Sequence, residues 1–236
     1  MICPKCGHEN SPDRADCSRC GVIFARIRPV QAPAERSAAS AGSVETEADT
    51  ASDRNLWVWA AALLIMTVWG SRLIFVSIDS NTAGESLLHL VNLPFHEAGH
   101  VFMRPFGQFM TTLGGTLAQL LVPLVCLAAF WFKSRDALGA VVCGWWFGEN
   151  LLDIAPYIDD ARAGELPLVG GNFGASSPYG FHDWEYLLTE TGLLRYDHAL
   201  ARIAHVLGAL LMLLAVVWGG WLFYKQSRRS EFWGKS

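Results

Sequence analysis

Charge is scarce in this chain. Only 17% of its 236 residues are Asp, Glu, Lys or Arg, and the formal net charge is −4. No basic patch of the kind that tracks a phosphate backbone is present, so nucleic acid is not expected as a partner. The first residues carry cysteines and charges rather than a short apolar core, so no signal peptide is expected. No internal repeat is found. Cysteine is sparse beyond the first twenty residues: Cys126 and Cys143 stand alone in apolar runs, where a free thiol acts as small apolar filler.

Apolar side chains dominate instead. They make up 52% of the residues, with ten Trp and thirteen Phe. That composition excludes an ordinary soluble domain and predicts a mainly α, polytopic helical membrane protein whose partner is the lipid bilayer. Four apolar runs reach the about 20 residues that a helix needs to cross: approximately 56–78, 112–132, 137–158 and 203–224. The third is interrupted by Glu149, Asn150 and Asp153. If these four cross, the N-terminus, Lys133 with Arg135, and the basic tail from Lys225 to Arg229 share one face. The positive-inside rule makes that face the cytoplasm, in a prokaryotic plasma membrane. The expected organisation is a small module at 1–28, a flexible Ala/Ser/Glu/Pro linker at 29–54, the membrane domain at 55–228 and a cytoplasmic tail at 229–236.

The first module reads C-x2-C, ten residues, C-x2-C: Cys3, Cys6, Cys17 and Cys20. Each pair can turn tightly and present two thiolates, and four thiolates close a tetrahedron around Zn2+. Gly7 and Gly21 follow the pairs, where such a turn suits a residue without a side chain. A disulfide or thioredoxin-like reading fits poorly, since no βαβ pattern surrounds the pairs and the compartment is reducing. The segment resembles the short zinc ribbons at the N-termini of many prokaryotic membrane proteins, which implies a metal-folded knob for contact with a protein partner.

The other motif is HEAGH, residues 96–100. On a helix, His96 and His100 lie one turn apart on one face and can offer two imidazoles to one ion. Glu97 is placed to act as general base toward water that a zinc ion has activated. Pro94 suits a helix start and Pro105 a stop. A short helix of about ten residues between them would span about 15 Å, half of a bilayer core. Ionisable groups beside membrane segments are costly without a purpose, which favours metal binding over packing.

Two imidazoles leave the coordination incomplete. Asp153 is the first candidate for a third donor, being at membrane depth on a stripe with Glu149 and Asp160. His182 in GFHDWEYLL is the second and Asp160 the third, with Asp183 expected to orient a neighbour or cap the helix that follows. HEAGH, the run LGGTLAQLLVPL and the later ENLLDIAP together resemble the site-2 protease class of membrane zinc metallopeptidases. That resemblance implies zinc held by His96, His100 and Asp153, water activated by Glu97, and a peptide substrate. Here the Asp precedes Pro156 and no Gly follows it, unlike the usual later motif. The competing reading is a non-catalytic membrane scaffold or sensor built around the zinc ribbon. Residues 161–181 read as a Gly-, Pro- and Ser-rich external loop, and 184–202 as a helix on the membrane surface.

Overall fold

The computed structural model describes residues 1–3, 5–24 and 41–233, with side chains described within 56–228 of the last stretch. It divides into two compact units, Met1–Ala51 and Ser52–Ser236. Residues 29–40 of the expected linker lie outside the described residues, and 41–54 form the opening turns of a helix.

The first unit holds two turns of the same design. Cys3 N–H donates to the His8 carbonyl and Gly7 N–H to the Cys3 carbonyl; Cys17 with Val22 and Gly21 with Cys17 repeat both bonds. Isolated antiparallel bridges, Ile2 with Glu9 and Asp16 with Ile23, close each turn. Gly7 and Gly21 have φ of 71° and 70°, so the turns do need residues free to adopt the left-handed region.

The second unit is helical, with no named strand among the described residues. Its helices are α1 (Ala41–Ile74, which belongs to this unit from Ser52 onward), α2 (Leu87–Met103), α3 (Gln108–Ala128), α4 (Ala137–Asp159), α5 (Asp183–Glu190) and α6 (Asp197–Trp233). Three stretches are long and apolar enough to cross a membrane: Leu56–Ile74 of α1, Gln108–Ser134 running from α3 into a π-helical turn, and Leu194–Arg228 around α6. Such helices satisfy their own backbone and turn apolar side chains outward, as lipid requires. Leu64 and Val68, Leu121 and Val125, and Leu214 and Val217 are all exposed in this way.

The fourth expected run, α4, differs for a physical reason. It is the inner helix of the bundle, packed on α6 and α3. Glu149, Asn150 and Asp153 lower its hydropathy, yet all three are buried against protein. Gly148 and Gly208 let α4 and α6 approach closely: a methyl on Gly148 would lie 2.8 Å from the Gly208 carbonyl oxygen. Val141, Trp145 and Leu152 of α4 meet Met212 of α6 and Met66 and Leu73 of α1 in the core. Asp136 caps α4 by accepting from the amides of Leu138 and Gly139.

Two expectations change. The HEAGH helix starts not at Pro94 but at Leu87, capped by Ser86, whose hydroxyl accepts the His89 amide. Its 17 residues give about 25 Å. Pro94 sits inside it, where packing of Asn92, His96 and Gly99 outweighs one lost backbone hydrogen bond. The helix does end just before Pro105, in a turn at Arg104–Phe106. Second, 184–202 is not one surface helix: Gly192, with φ 70°, ends α5, and α6 has begun by Asp197.

Candidate metal centres

In the first unit the four cysteine sulfurs converge, with all four Sγ atoms within 4.8 Å of one another. The closest pairs, Cys3 with Cys20 at 3.7 Å and Cys6 with Cys17 at 3.6 Å, are well beyond the about 2.05 Å of a disulfide. Asn10 braces the cluster: its Nδ2 faces Cys17 Sγ at 3.5 Å and its Oδ1 accepts from the Ser18 amide and hydroxyl. Burial opposes ionisation of Cys17, but the amides of Cys20 and Arg19 outweigh it and bring the thiol down to about 6. A cluster of this kind can bind a metal ion, and a closed set of four thiolates leaves no open position for chemistry.

The second centre lies in the helical unit. His96 and His100 fall on one face of α2, their rings 4.8 Å apart. The third group beside them is Asp183, the first residue of α5, with Oδ2 at 3.0 Å from His96 Nε2 and 3.3 Å from His100 Nε2. The three could hold a metal ion, with one donor atom from each within 4.8 Å of the others. His100 Nδ1–H donates to the Thr111 carbonyl at 2.9 Å, which leaves its Nε2 with a lone pair directed at the carboxylate. Two acceptors at that separation need a positive charge between them, and a proton or a metal ion can supply it. Burial alone would lower the His100 imidazole, yet Asp183 outweighs it and raises it to about 9. Burial would likewise raise the Asp183 carboxyl, but His100 and His96 hold it below the usual range.

Local structure explains the placement. α2 and α3 touch at Gly99 and Gly114, where a methyl on either would overlap the other's carbonyl. Gly115 leaves the space into which the rings point: a Cβ there would fall 2.5 Å from His96 Nε2 and 2.6 Å from His100 Nε2. The GG pair of LGGTLAQ is therefore a floor for the site. Asp183 is held by its backbone, whose N–H donates to Tyr157 Oη at 3.0 Å. His182 caps α5, its Nδ1 accepting the Glu185 amide, and its Nε2 meets Asp160 Oδ2 at 3.2 Å. Asp160 also accepts the amides of Glu165 and Leu166, which ties the start of the 161–181 loop back onto the end of α4. The Glu97 side chain is exposed and makes no hydrogen bond among the described residues, and its charge is close enough to raise His100.

The candidate third donors are therefore placed elsewhere. Asp153 is occupied by His89 Nδ1 at 2.9 Å, Asn92 Nδ2 at 3.0 Å and Gln119 Nε2 at 2.8 Å. His182 and Asp160 pair with each other, and the structure does not gather either into the His96–His100 group. Asp183 was legible only as a helix cap or an orienting neighbour. The polar stripe His89, Asn92, His96 and His100 along α2 was the available signal that Asp153 had partners other than a metal. Comparison with known protein families, curated proteins and solved structures finds no match to this chain.

Proposed function

We propose that the protein is a membrane-embedded zinc metallopeptidase with an N-terminal zinc ribbon. One observation carries the reading: two imidazoles of an H-E-x-x-H helix and a carboxylate from a distant helix converge, with Glu97 beside them on an exposed surface. Three N/O donors match a catalytic zinc site, which keeps a fourth position for water or substrate, rather than a closed structural one. Zinc there would supply Lewis acidity toward a peptide carbonyl and toward water. His96, His100 and Asp183 would hold the ion, and Glu97 would take the proton from the attacking water and pass it to the leaving amine. Cys3, Cys6, Cys17 and Cys20 would hold a second zinc, whose binding would fold the first module for contact with a protein partner.

In this reading α4 is a fourth crossing, shielded from lipid by its neighbours, and α2 packs against the bundle without crossing. α3 and α4 form a hairpin. Lys133 and Arg135 lie at its turn, whereas Thr111, Tyr157 and Asp160 of the site lie at its open end. The basic turn belongs to the cytoplasmic face, so the site faces the opposite side and both termini are cytoplasmic.

The test is cleavage of a reporter polypeptide with one membrane span by the purified, zinc-loaded chain. Glu97→Gln is expected to keep metal and lose turnover by about 100-fold or more, as removal of a general base does. A Glu97→Gln chain that cleaves as fast as the wild type would remove the proposed base. Absence of cleavage by the wild type, with metal confined to the cysteines, would favour the scaffold reading.

A further inference from the structure

The contacts of His96 continue past the metal centre. Its Nδ1 lies 2.9 Å from Gln119 Oε1; Gln119 Nε2 lies 2.8 Å from Asp153 Oδ2; and Asp153 Oδ1 lies 2.9 Å from His89 Nδ1. His96, Gln119 and Asp153 are all buried, so each polar atom needs a partner among its neighbours. A Gln amide can face either way, and an imidazole can carry its proton on either nitrogen. The His96–Gln119 contact alone therefore leaves both undetermined.

Asp153 removes the ambiguity. Its carboxylate can only accept, so each of the three groups around it, His89, Asn92 and Gln119, must donate to it. Asn92, one of the three, is itself fixed: its Oδ1 takes the Trp146 indole N–H at 2.8 Å, and an indole can only donate. Gln119 must likewise turn Nε2 to Asp153, which presents Oε1 to His96. A carbonyl oxygen cannot donate, so His96 carries its proton on Nδ1 and directs the lone pair of Nε2 at Asp183 and His100.

We infer that Asp153 is a positioning residue that sets the metal-binding tautomer of His96 through Gln119. This rests on the reading of His96, His100 and Asp183 as a metal centre. Asp153 thereby contributes to metal affinity without touching the ion, and its buried carboxylate has a reason to be where a sequence resemblance would place a ligand. Orienting partners of this kind are worth about 10–100-fold in metal affinity.

The experiment is a competitive Zn2+ titration of the full chain, with 15N NMR of the His96 ring in the zinc-loaded protein. Asp153→Asn lets the side chain donate, frees Gln119 to turn over, and is expected to weaken the histidine-dependent zinc about 10–100-fold while leaving the ribbon zinc unchanged. Asp153→Asn combined with Gln119→Glu restores the polarity, since the new carboxylate on α3 accepts both from the new amide on α4 and from His96 Nδ1–H. That double variant is expected to recover most of the lost affinity, which a merely structural loss would not allow. Wild-type zinc bound through His96 Nε2, with the proton on Nδ1, is the expected spectrum. Wild-type affinity in Asp153→Asn, a double variant no tighter than the single one, or zinc on His96 Nδ1 would each overturn the inference alone. A wild-type chain with no zinc dependent on His96 would overturn it together with the metal centre.

Discussion

Asp183 Oδ2 lies 3.0 Å from His96 Nε2, although 87 residues separate the two in sequence. The pairing depends on the end of α4, where Tyr157 receives the Asp183 amide and Asp160 holds His182. Asp183→Ala is therefore expected to abolish zinc at the histidine site, exceeding the about 10–100-fold cost of losing an outer partner. The ribbon zinc should remain. Metal analysis after gel filtration checks both halves, and full retention of histidine-dependent zinc in Asp183→Ala would place the third donor elsewhere.

The glycine floor separates stability from metal binding. At Gly99 a methyl meets the backbone carbonyl of Gly114, which cannot move aside without parting α2 from α3. Gly99→Ala should cost about 1–3 kcal/mol, the usual range for overpacking, seen as an earlier thermal transition in detergent. At Gly115 the methyl meets the imidazole nitrogens themselves. Gly115→Ala should displace zinc while lowering stability less than Gly99→Ala, and unchanged zinc binding would contradict the placement of the rings.

The loop after α4 should be acid-sensitive. Burial alone would raise the Asp160 carboxyl, but His182 and the amides of Leu166 and Glu165 outweigh it and hold it below the usual range. A carboxyl whose pKa falls on folding stabilises the fold fully above its unfolded value of about 3.9, and the contribution is lost as pH drops through the lower folded value. Hydrogen exchange at the Glu165 and Leu166 amides should therefore stay slow from neutral pH down to about pH 4 and gain relative speed below it. Asp160→Asn should show fast exchange throughout, and protection equal to wild type would remove the proposed tie.

Metal held by the first module should be separable from the helical unit. Each pair of cysteines sits on its own turn, Asn10 is the side chain that bonds across them, and a common ion is expected to supply most of the remaining hold. Cys3→Ser with Cys6→Ser is expected to remove one zinc and abolish exchange protection of the Gly21 amide, with α3 and α4 unchanged. Protected Gly21 without metal would show that the turns fold unaided.

Much of this architecture is local and so was readable from the sequence. The cysteine pairs, the i, i+4 histidines and the long apolar runs of α1, α3 and α6 each depend on spacing within one segment. The start of α2 was not readable from Pro94, because tertiary burial of Asn92 and His96 overrides the proline. Asp183 was hidden for a related reason: a donor at a helix start looks like a cap until the fold shows what faces it. Asp153 drew notice as an acid in an apolar run, and that oddity did mark a buried network. Its partners His89, Asn92 and Gln119 come from two other helices, and no spacing along α4 could name them.

The most direct measurement is the zinc content of the purified full chain and of its His96→Ala, His100→Ala variant. Two ions per wild-type chain and one per variant, the remaining one lost on replacing Cys3 and Cys6, is the predicted result. A single ion in both, held by the cysteines, would contradict the second metal centre and the peptidase chemistry built on it.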